Sequence, residues 1–413
     1  MTARRTLYRN ATLIDGTGAA PVADAVVAVA DGVIGYAGPA AGAPEPAPGD
    51  TVEDLGGRTL LPGFIDAHVH FGIGDSRQIL FNNAEIPRSL HAFETADRMR
   101  RTLEAGVTTA RDLGGTDAGF RTAQQRGLLS GPRLSLALRL VSHTGGHADF
   151  TLPSGVDLHA CGAHSMAEIA DSVQEARVAA RRLMRDGADV IKVCATGGVS
   201  SPSDTPDDEG LTPEEIAAMA AEAARHGGRP VAAHAQGAAG IRNAVRGGAS
   251  SIEHGYLVDD EGIDLMLEHG TYLVPTLATF DFEDRVHLMT EKAVRTKRAL
   301  AGRTFERISE AVRRGVKVAM GTDAGISPHG ANLAELGHLT RVGLSPMEAI
   351  TAATRNAAEL LGLADRVGTV RAGMLADLVV CDGDPLADIA LPADPDNIVL
   401  VVQEGRTVKD IRP

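Results

Sequence analysis

Short apolar runs recur through most of this chain at a spacing that leaves little choice of architecture. They fall near residues 64–70, 107–112, 133–142, 189–194, 230–234, 250–254, 272–277 and 317–322, separated by longer amphipathic or Ala-rich segments. Strands alternating with helices pack as a parallel sheet covered by helices, and eight such units make an α/β fold, the (β/α)8 TIM barrel. Helix starts are legible at Thr212-Pro213-Glu214-Glu215 and Ser345-Pro346-Met347-Glu348. Each offers a capping hydroxyl, Pro at the first helical position and Glu two residues later. The charged segment 282–315 is expected to hold more than one helical piece.

The flanks read differently. Residues 5–58 are β-rich, with Asp31-Gly32 as a turn between two apolar runs and Gly38–Gly49 as a surface loop. Strand patterns return over 368–380, and 398–402 with 404–408 suggests a hairpin. We therefore expect residues 1–60 and 364–413 to meet in a small β-sandwich domain formed by both termini, beside a barrel over 61–363.

A barrel's chemistry sits at the C-terminal ends of its strands. Those ends carry His68 and His70 after the first, His143 or His147 past the third, Lys192 at the fourth, His234 at the fifth, His254 at the sixth and Asp323 at the eighth. His68 and His70 stand two residues apart in LLPGFIDAHVHF, so in a strand both imidazoles share one face. Singly, each residue has a plainer reading: a hydrogen-bonded rim histidine, a snorkelling lysine, a turn aspartate. Six such coincidences at one end of a barrel are improbable together, and imidazole with carboxylate is a donor set for borderline divalent metals.

The formal charge of −14 argues against nucleic-acid and anionic-membrane partners, which want a basic face. The N-terminus has arginines without a following apolar stretch, and no run approaches the ~18 apolar residues that span a bilayer. Three widely spaced cysteines, Cys161, Cys194 and Cys381, suit free thiols in a reduced cytoplasm.

The segments PGFIDAHVH, TTARDLGG, SHTGGHADF, DVIKVCATGGVSS, AAHAQGAAGIRNAV, SIEHGYLVDDEGI, YLVPTL, GTDAGISPHGAN and AGMLADLVV, spread over essentially the whole chain, resemble the amidohydrolase superfamily. Lys192 within IKVCATGGV and the run Thr144-Gly145-Gly146-His147 narrow this to the group of metal-dependent prolidases, Xaa-Arg or Xaa-Lys carboxypeptidases and ochratoxin-hydrolysing enzymes. The resemblance implies two divalent ions, expected to be zinc, bridged by a Lys192 that carbon dioxide has carboxylated. It gives His68, His70 and Asp323 to the first ion, and His234 and His254 to the second.

The same resemblance implies attack of a metal-bridging hydroxide on an amide carbonyl, with Asp323 moving the proton to the leaving amine. His147 matches the histidine that stabilises the carbonyl oxygen, with His143 as the competing candidate. His329, in Pro328-His329-Gly330, resembles a segment of the carboxypeptidase-like members that reaches a substrate carboxylate. Gln236 departs from prolidase-like members, which place a Tyr there; an amide donates a hydrogen bond but is not an acid, which weakens a prolidase assignment specifically. The acidic loop Ser200–Gly210 offers attraction for a cationic side chain, or is simply solvated. Arg111 and Asp112 are expected to lock two strands by an ion pair.

The expected substrate is a small molecule, a dipeptide or N-acyl amino acid with a free carboxylate on the leaving amine, and the expected assembly is a homo-oligomer. The competing enzyme reading is a cyclic-amide hydrolase of the imidazolonepropionase type. A non-catalytic barrel is the third reading, and its signature, loss of metal ligands, is missing here.

Overall fold

The computed structural model describes residues 4–74, 86–151, 154–156, 166–199, 201 and 204–412. Strand pairing changes partners at Gly63. Before it, Arg5–Leu13, Val22–Ala30 and Val33–Pro39 run antiparallel, and Thr51–Asp54 and Thr59–Pro62 join parallel to the first. The Asp31-Gly32 turn has positive φ at both residues, as a two-residue hairpin of matching twist requires. Leu378–Cys381 pairs with Thr59–Pro62 on one side and Ile398–Gln403 on the other, and Arg406–Asp410 completes the hairpin. Both chain ends thus build one eight-stranded sheet, with Tyr8, Val27, Leu60, Val380 and Leu400 in its core.

From Phe64 to Val274 every strand ladder is parallel. Phe64–Val69, Val107–Asp112 and Arg133–Leu136 form one sheet. Ala167–Ile169, Leu140–Ser142, Ile191–Cys194, Val231–Ala235, Ser251–His254 and Tyr272–Val274 form the second in that spatial order. Backbone bonds continue beyond these ladders. Asp189 N–H donates to Leu136 O at 2.7 Å, Leu273 N–H to Lys317 O at 2.8 Å and Ala67 N–H to Met320 O at 2.9 Å. Residues 317–324 therefore lie between Tyr272–Val274 and Phe64–Val69.

Three expected strands differ in detail. The run 133–142 breaks at Leu138, where φ is +68°, into two strands that belong to different sheets. The run 272–277 stops at Val274, because Thr276 adopts a left-handed φ of +51° and starts a tight turn. The run 317–322 makes bridges rather than a ladder, since Met320 N–H turns away to Ala352 O. The strand Ala167–Ile169 was not expected.

Between the parallel strands run the helices Val173–Asp186, Pro213–Arg225, Ala238–Arg246 and Asp260–His269. Their inward faces are rich in small residues, Ala176, Ala179, Ala180 and Ala223 among them, which lets backbones pack close to the sheet. Segment 282–315 divides into a tight turn, Glu283–Leu288, and the long helix Glu291–Arg313. Among the described residues no helix is long and apolar enough to cross a membrane. Cys194 and Cys381 are buried free thiols; Cys161 lies outside the described residues.

Both expected capping boxes form, with Thr212 accepting from Glu215 N–H and Ser345 from Glu348 N–H. Thr212→Ala removes one of these caps and is expected to destabilise the chain by about 1 kcal/mol, read as a lowered urea midpoint.

Candidate metal centre

The strand Phe64–Val69 ends by placing His68 and, one residue beyond it, His70 beside Asp323. His68 Nε2 lies 3.5 Å and His70 Nε2 3.4 Å from the same Asp323 oxygen, Oδ1. Asp323 is brought there by backbone pairing, its N–H donating to His68 O at 2.8 Å. Gly321 makes the approach possible: a Cβ there would sit 2.4 Å from Val274 Cγ1 and 2.8 Å from His68 Cβ. Asp66, in the same alternation as the two histidines, braces the turn. Its carboxylate accepts from His68 N–H at 3.0 Å, Thr322 Oγ1 at 2.6 Å and Asn332 Nδ2 at 2.8 Å. Burial nevertheless pushes its pKa up to about 6.

His254 joins the group from the end of Ser251–His254. One ligand atom each of His68, His254 and Asp323 lies within 4.8 Å of the others. His254 Nδ1 is 2.8 Å from Thr276 Oγ1, which leaves Nε2 for the centre. Thr276 is held in turn by Glu335, which accepts from the next two backbone amides, Leu277 at 2.8 Å and Ala278 at 2.6 Å. His254, Thr276 and Asp323 all have positive φ, a conformation that costs non-glycine residues energy and gathers at functional sites.

His234 packs edge-on to His254, ring centres 4.6 Å apart, and carries His147 stacked on its other side at 4.0 Å. His234 Nε2 lies 3.0 Å from Gly197 O. His147 Nδ1 lies 3.2 Å from Asp204 Oδ2, and the missing side chain of Gly198 gives its ring room. Burial raises the Asp204 pKa, but the His147 contact and the Gly198 amide outweigh it and leave the carboxyl lowered. Lys192 is 1% exposed and its Nζ has no hydrogen-bond partner among the described residues. Burial, and then neighbouring positive groups, hold His68, His234 and His254 well below the ordinary imidazole range, and burial lowers Lys192. Neutral imidazole is the ligand form, and a neutral amine is the nucleophilic form.

Beneath His68 lies an ion pair with no exposed side-chain surface. Arg111 Nη2 donates to Glu253 Oε1 at 2.7 Å, and the other Glu253 oxygen accepts from His68 Nδ1 at 2.8 Å. Arg111 Nε also donates to Ala67 O at 2.6 Å, and Ser251 Oγ donates to Glu253. The strand-locking ion pair expected at Arg111-Asp112 is made by Arg111, which reaches Glu253 on another strand, while Asp112, facing the other way, accepts the amides of Phe71 and Gly114. Glu253 was missed by sequence reasoning, though an acid inside an apolar parallel strand was the available signal.

The remaining candidates stand farther out. His143 Nδ1 is 2.8 Å from the neighbouring Thr144 O, and no ring contact joins it to the cluster among the described residues. His329 is buried against Phe71, with Nε2 3.0 Å from Ile73 O, and burial lowers its pKa to about 3. Gln236 is anchored through its backbone to Thr196 Oγ1, while its buried Oε1 lacks a partner among the described residues. In the acidic loop Asp204 is buried on His147, whereas Asp207, Asp208 and Glu209 are exposed.

The donor set fits a divalent cation. Three ligand atoms, two from imidazoles and one from a carboxylate, converge within 4.8 Å of one another, the imidazoles are held neutral, and a buried lysine nitrogen stands beside them without a partner among the described residues.

The amidohydrolase family model matches residues 59–408, and the chain belongs to that family, hydrolases of carbon–nitrogen bonds. The ochratoxinase of Aspergillus niger is 34% identical over 369 residues, covering 85% of this chain and 75% of that protein. A crystal structure of a prolidase complexed with N-methylphosphonate-L-proline superposes with a TM-score of 0.91 at 33% identity, covering 98% of this chain and 100% of that one. An imidazolonepropionase of Methylobacterium nodulans is 30% identical over 406 residues, covering 92% and 93%.

Glu253→Gln keeps the shape but removes the charge that orients His68. It is expected to weaken divalent-metal affinity about 10- to 100-fold, measured by metal titration of the apoprotein. Unchanged affinity would separate Glu253 from the site.

Proposed function

We propose that this chain is a binuclear metal-dependent amidohydrolase that cleaves a dipeptide or N-acyl amino acid, in the manner of a dipeptidase or carboxypeptidase. The observation that carries the reading is the meeting of His68 and His70 at one oxygen of Asp323, with His254 within reach. His68, His70 and Asp323 would hold one ion, and His234 and His254 the other. Lys192 would bridge them once its amine has added carbon dioxide and lost a proton, giving a carbamate with two oxygens. When bound, the ions, zinc on this donor set, supply polarisation of the scissile carbonyl and a lowered pKa for water.

The chain's own groups do the rest. Asp323 takes a proton from the attacking water as the new carbon–oxygen bond forms. It then delivers that proton to the amine nitrogen as the carbon–nitrogen bond breaks. His147, steadied by Asp204 and the His234 ring, donates to the carbonyl oxygen as charge develops there. Gln236, His143 and His329 remain candidates for contacts with the substrate.

The same reading takes the parallel strands as one closed (β/α)8 barrel over 61–363, supported by the backbone bonds that link residues 317–324 to strands on both sides. It takes 1–60 with 364–413 as a composite β-sandwich domain, supported by their shared sheet and core. A cytoplasmic setting rests on the buried free thiols, and homo-oligomeric assembly is kept with it.

The cyclic-amide reading has its own support in the imidazolonepropionase similarity. A panel of Xaa-Arg, Xaa-Lys, Xaa-Pro and N-acyl amino acids beside imidazolone propionate and hydantoins separates the two. Turnover of linear amides is expected; turnover of cyclic substrates alone would overturn the peptidase reading. Asp323→Asn should lower kcat/KM by at least about 100-fold while the protein stays folded by circular dichroism. Protein supplied with 13C-bicarbonate should show a carbamate carbon resonance that Lys192→Ala lacks, and its absence from the wild type would contradict the bridge.

A further inference from the structure

The long helix Glu291–Arg313 is rich in charge, and of its charged side chains it buries one, Lys297. Lys297 is 3% exposed. Its Nζ donates to Thr279 O and lies over the rings of Phe280 and Phe282, at 5.4 and 5.5 Å from their centres. An ammonium has three donors, and this one uses a single carbonyl. Among the described residues no carboxylate pairs with it.

Two charges act on Lys297, and neither is a resident counter-ion. Asp323, the carboxylate of the candidate metal centre, favours its ammonium form, whereas Arg285 disfavours it. Arg285 donates to Ile326 O at 2.8 Å and Asp281 O at 2.6 Å, and an exposed carboxylate, Asp284, stands 3.7 Å away. Two cations thus lie near each other in a strongly acidic chain, one of them over the Phe280 and Phe282 rings. Burying a cation without an acid is costly, and burial lowers this lysine to about 7.

Lys297 stands near the candidate metal centre. Thr279, whose carbonyl holds Lys297, also places Oγ1 2.9 Å from Tyr256 Oη. Tyr256 Oη is 3.3 Å from Thr276 Oγ1, which is 2.8 Å from His254 Nδ1. A short chain of hydrogen bonds therefore leads from Lys297 to His254.

We propose that Lys297 is the specificity-determining residue that binds the free carboxylate on the amine side of the scissile amide. This rests on the amide-hydrolase reading above. The incoming carboxylate supplies the missing counter-ion, accepting the ammonium's unused donors between Phe280 and Phe282. The alternative is a purely structural lysine that pins Thr279 and, through it, Tyr256.

The test compares the wild-type holoenzyme with Lys297→Met and Lys297→Arg, Met keeping the volume of the buried stem. Each is assayed on N-acyl amino acids and on the matching carboxamides, and binding of amino acids and amino-acid amides is followed by calorimetry. The wild type should prefer the acids, and Lys297→Met should lower the acid-to-carboxamide ratio of kcat/KM about 100-fold, mainly through KM. Lys297→Arg should recover part of that ratio, and calorimetry should show the preference for the free amino acid lost in Lys297→Met alone. A ratio unchanged in Lys297→Met, with both substrates slowed equally, would overturn the proposal in favour of the structural role. A wild type that cleaves neither substrate, but binds amino acids over amides through Lys297, would overturn the amide-hydrolase reading and leave the carboxylate site standing.

Discussion

The buried pair of Arg111 and Glu253 is the interaction on which the rest of the centre depends. Arg111 comes from Val107–Asp112 and Glu253 from Ser251–His254, so the pair ties together strands of the two parallel sheets. It also touches the strand between Phe64 and Val69 twice, at Ala67 O and at His68 Nδ1. A pair so fully removed from water adds little net stability, but losing one partner would strand the other charge, at a cost of about 3–5 kcal/mol. Its effect is orientation. With Nδ1 bound to the carboxylate, His68 keeps the lone pair of Nε2 directed at Asp323, the arrangement that metal-binding imidazoles commonly receive from a supporting acid.

Backbone strain at the centre is held by similar means. Left-handed conformations at His254, Thr276 and Asp323 are unfavourable for side chains of these shapes, Thr276 above all because it is branched at Cβ. Glu335 offsets part of that strain at Thr276 by taking the next two amides, and Asp66 and Thr322 do the same around Asp323. Burial raises Glu335 well above the ordinary carboxylate range, so this support draws on backbone donors rather than on a cation. Rigid placement of ligand atoms is what the fold contributes to the proposed chemistry.

Much of this is legible in the sequence alone. The apolar alternation located most of the parallel strands, and the polar residues ending them identified His68, His70, His254 and Asp323, which the fold does bring together. Glu253 and Asp66 are not marked by strand-end position, since they lie one and two positions deeper than His254 and His68. Thr276, Glu335 and Lys297 are unmarked for a different reason. Their roles come from contacts between segments distant in sequence, where no periodicity or motif spacing marks them. The expected strand-locking ion pair forms through Arg111 alone, because Asp112, its neighbour in the strand, faces the other way.

The proposed function makes one quantitative claim, that the histidines, Asp323 and Lys192 would together hold two cations. Metal analysis of the protein purified with zinc and bicarbonate tests it most directly. The account predicts two divalent ions per chain retained through gel filtration. A fully folded chain that retains none, and gains no activity when both are supplied, would contradict it.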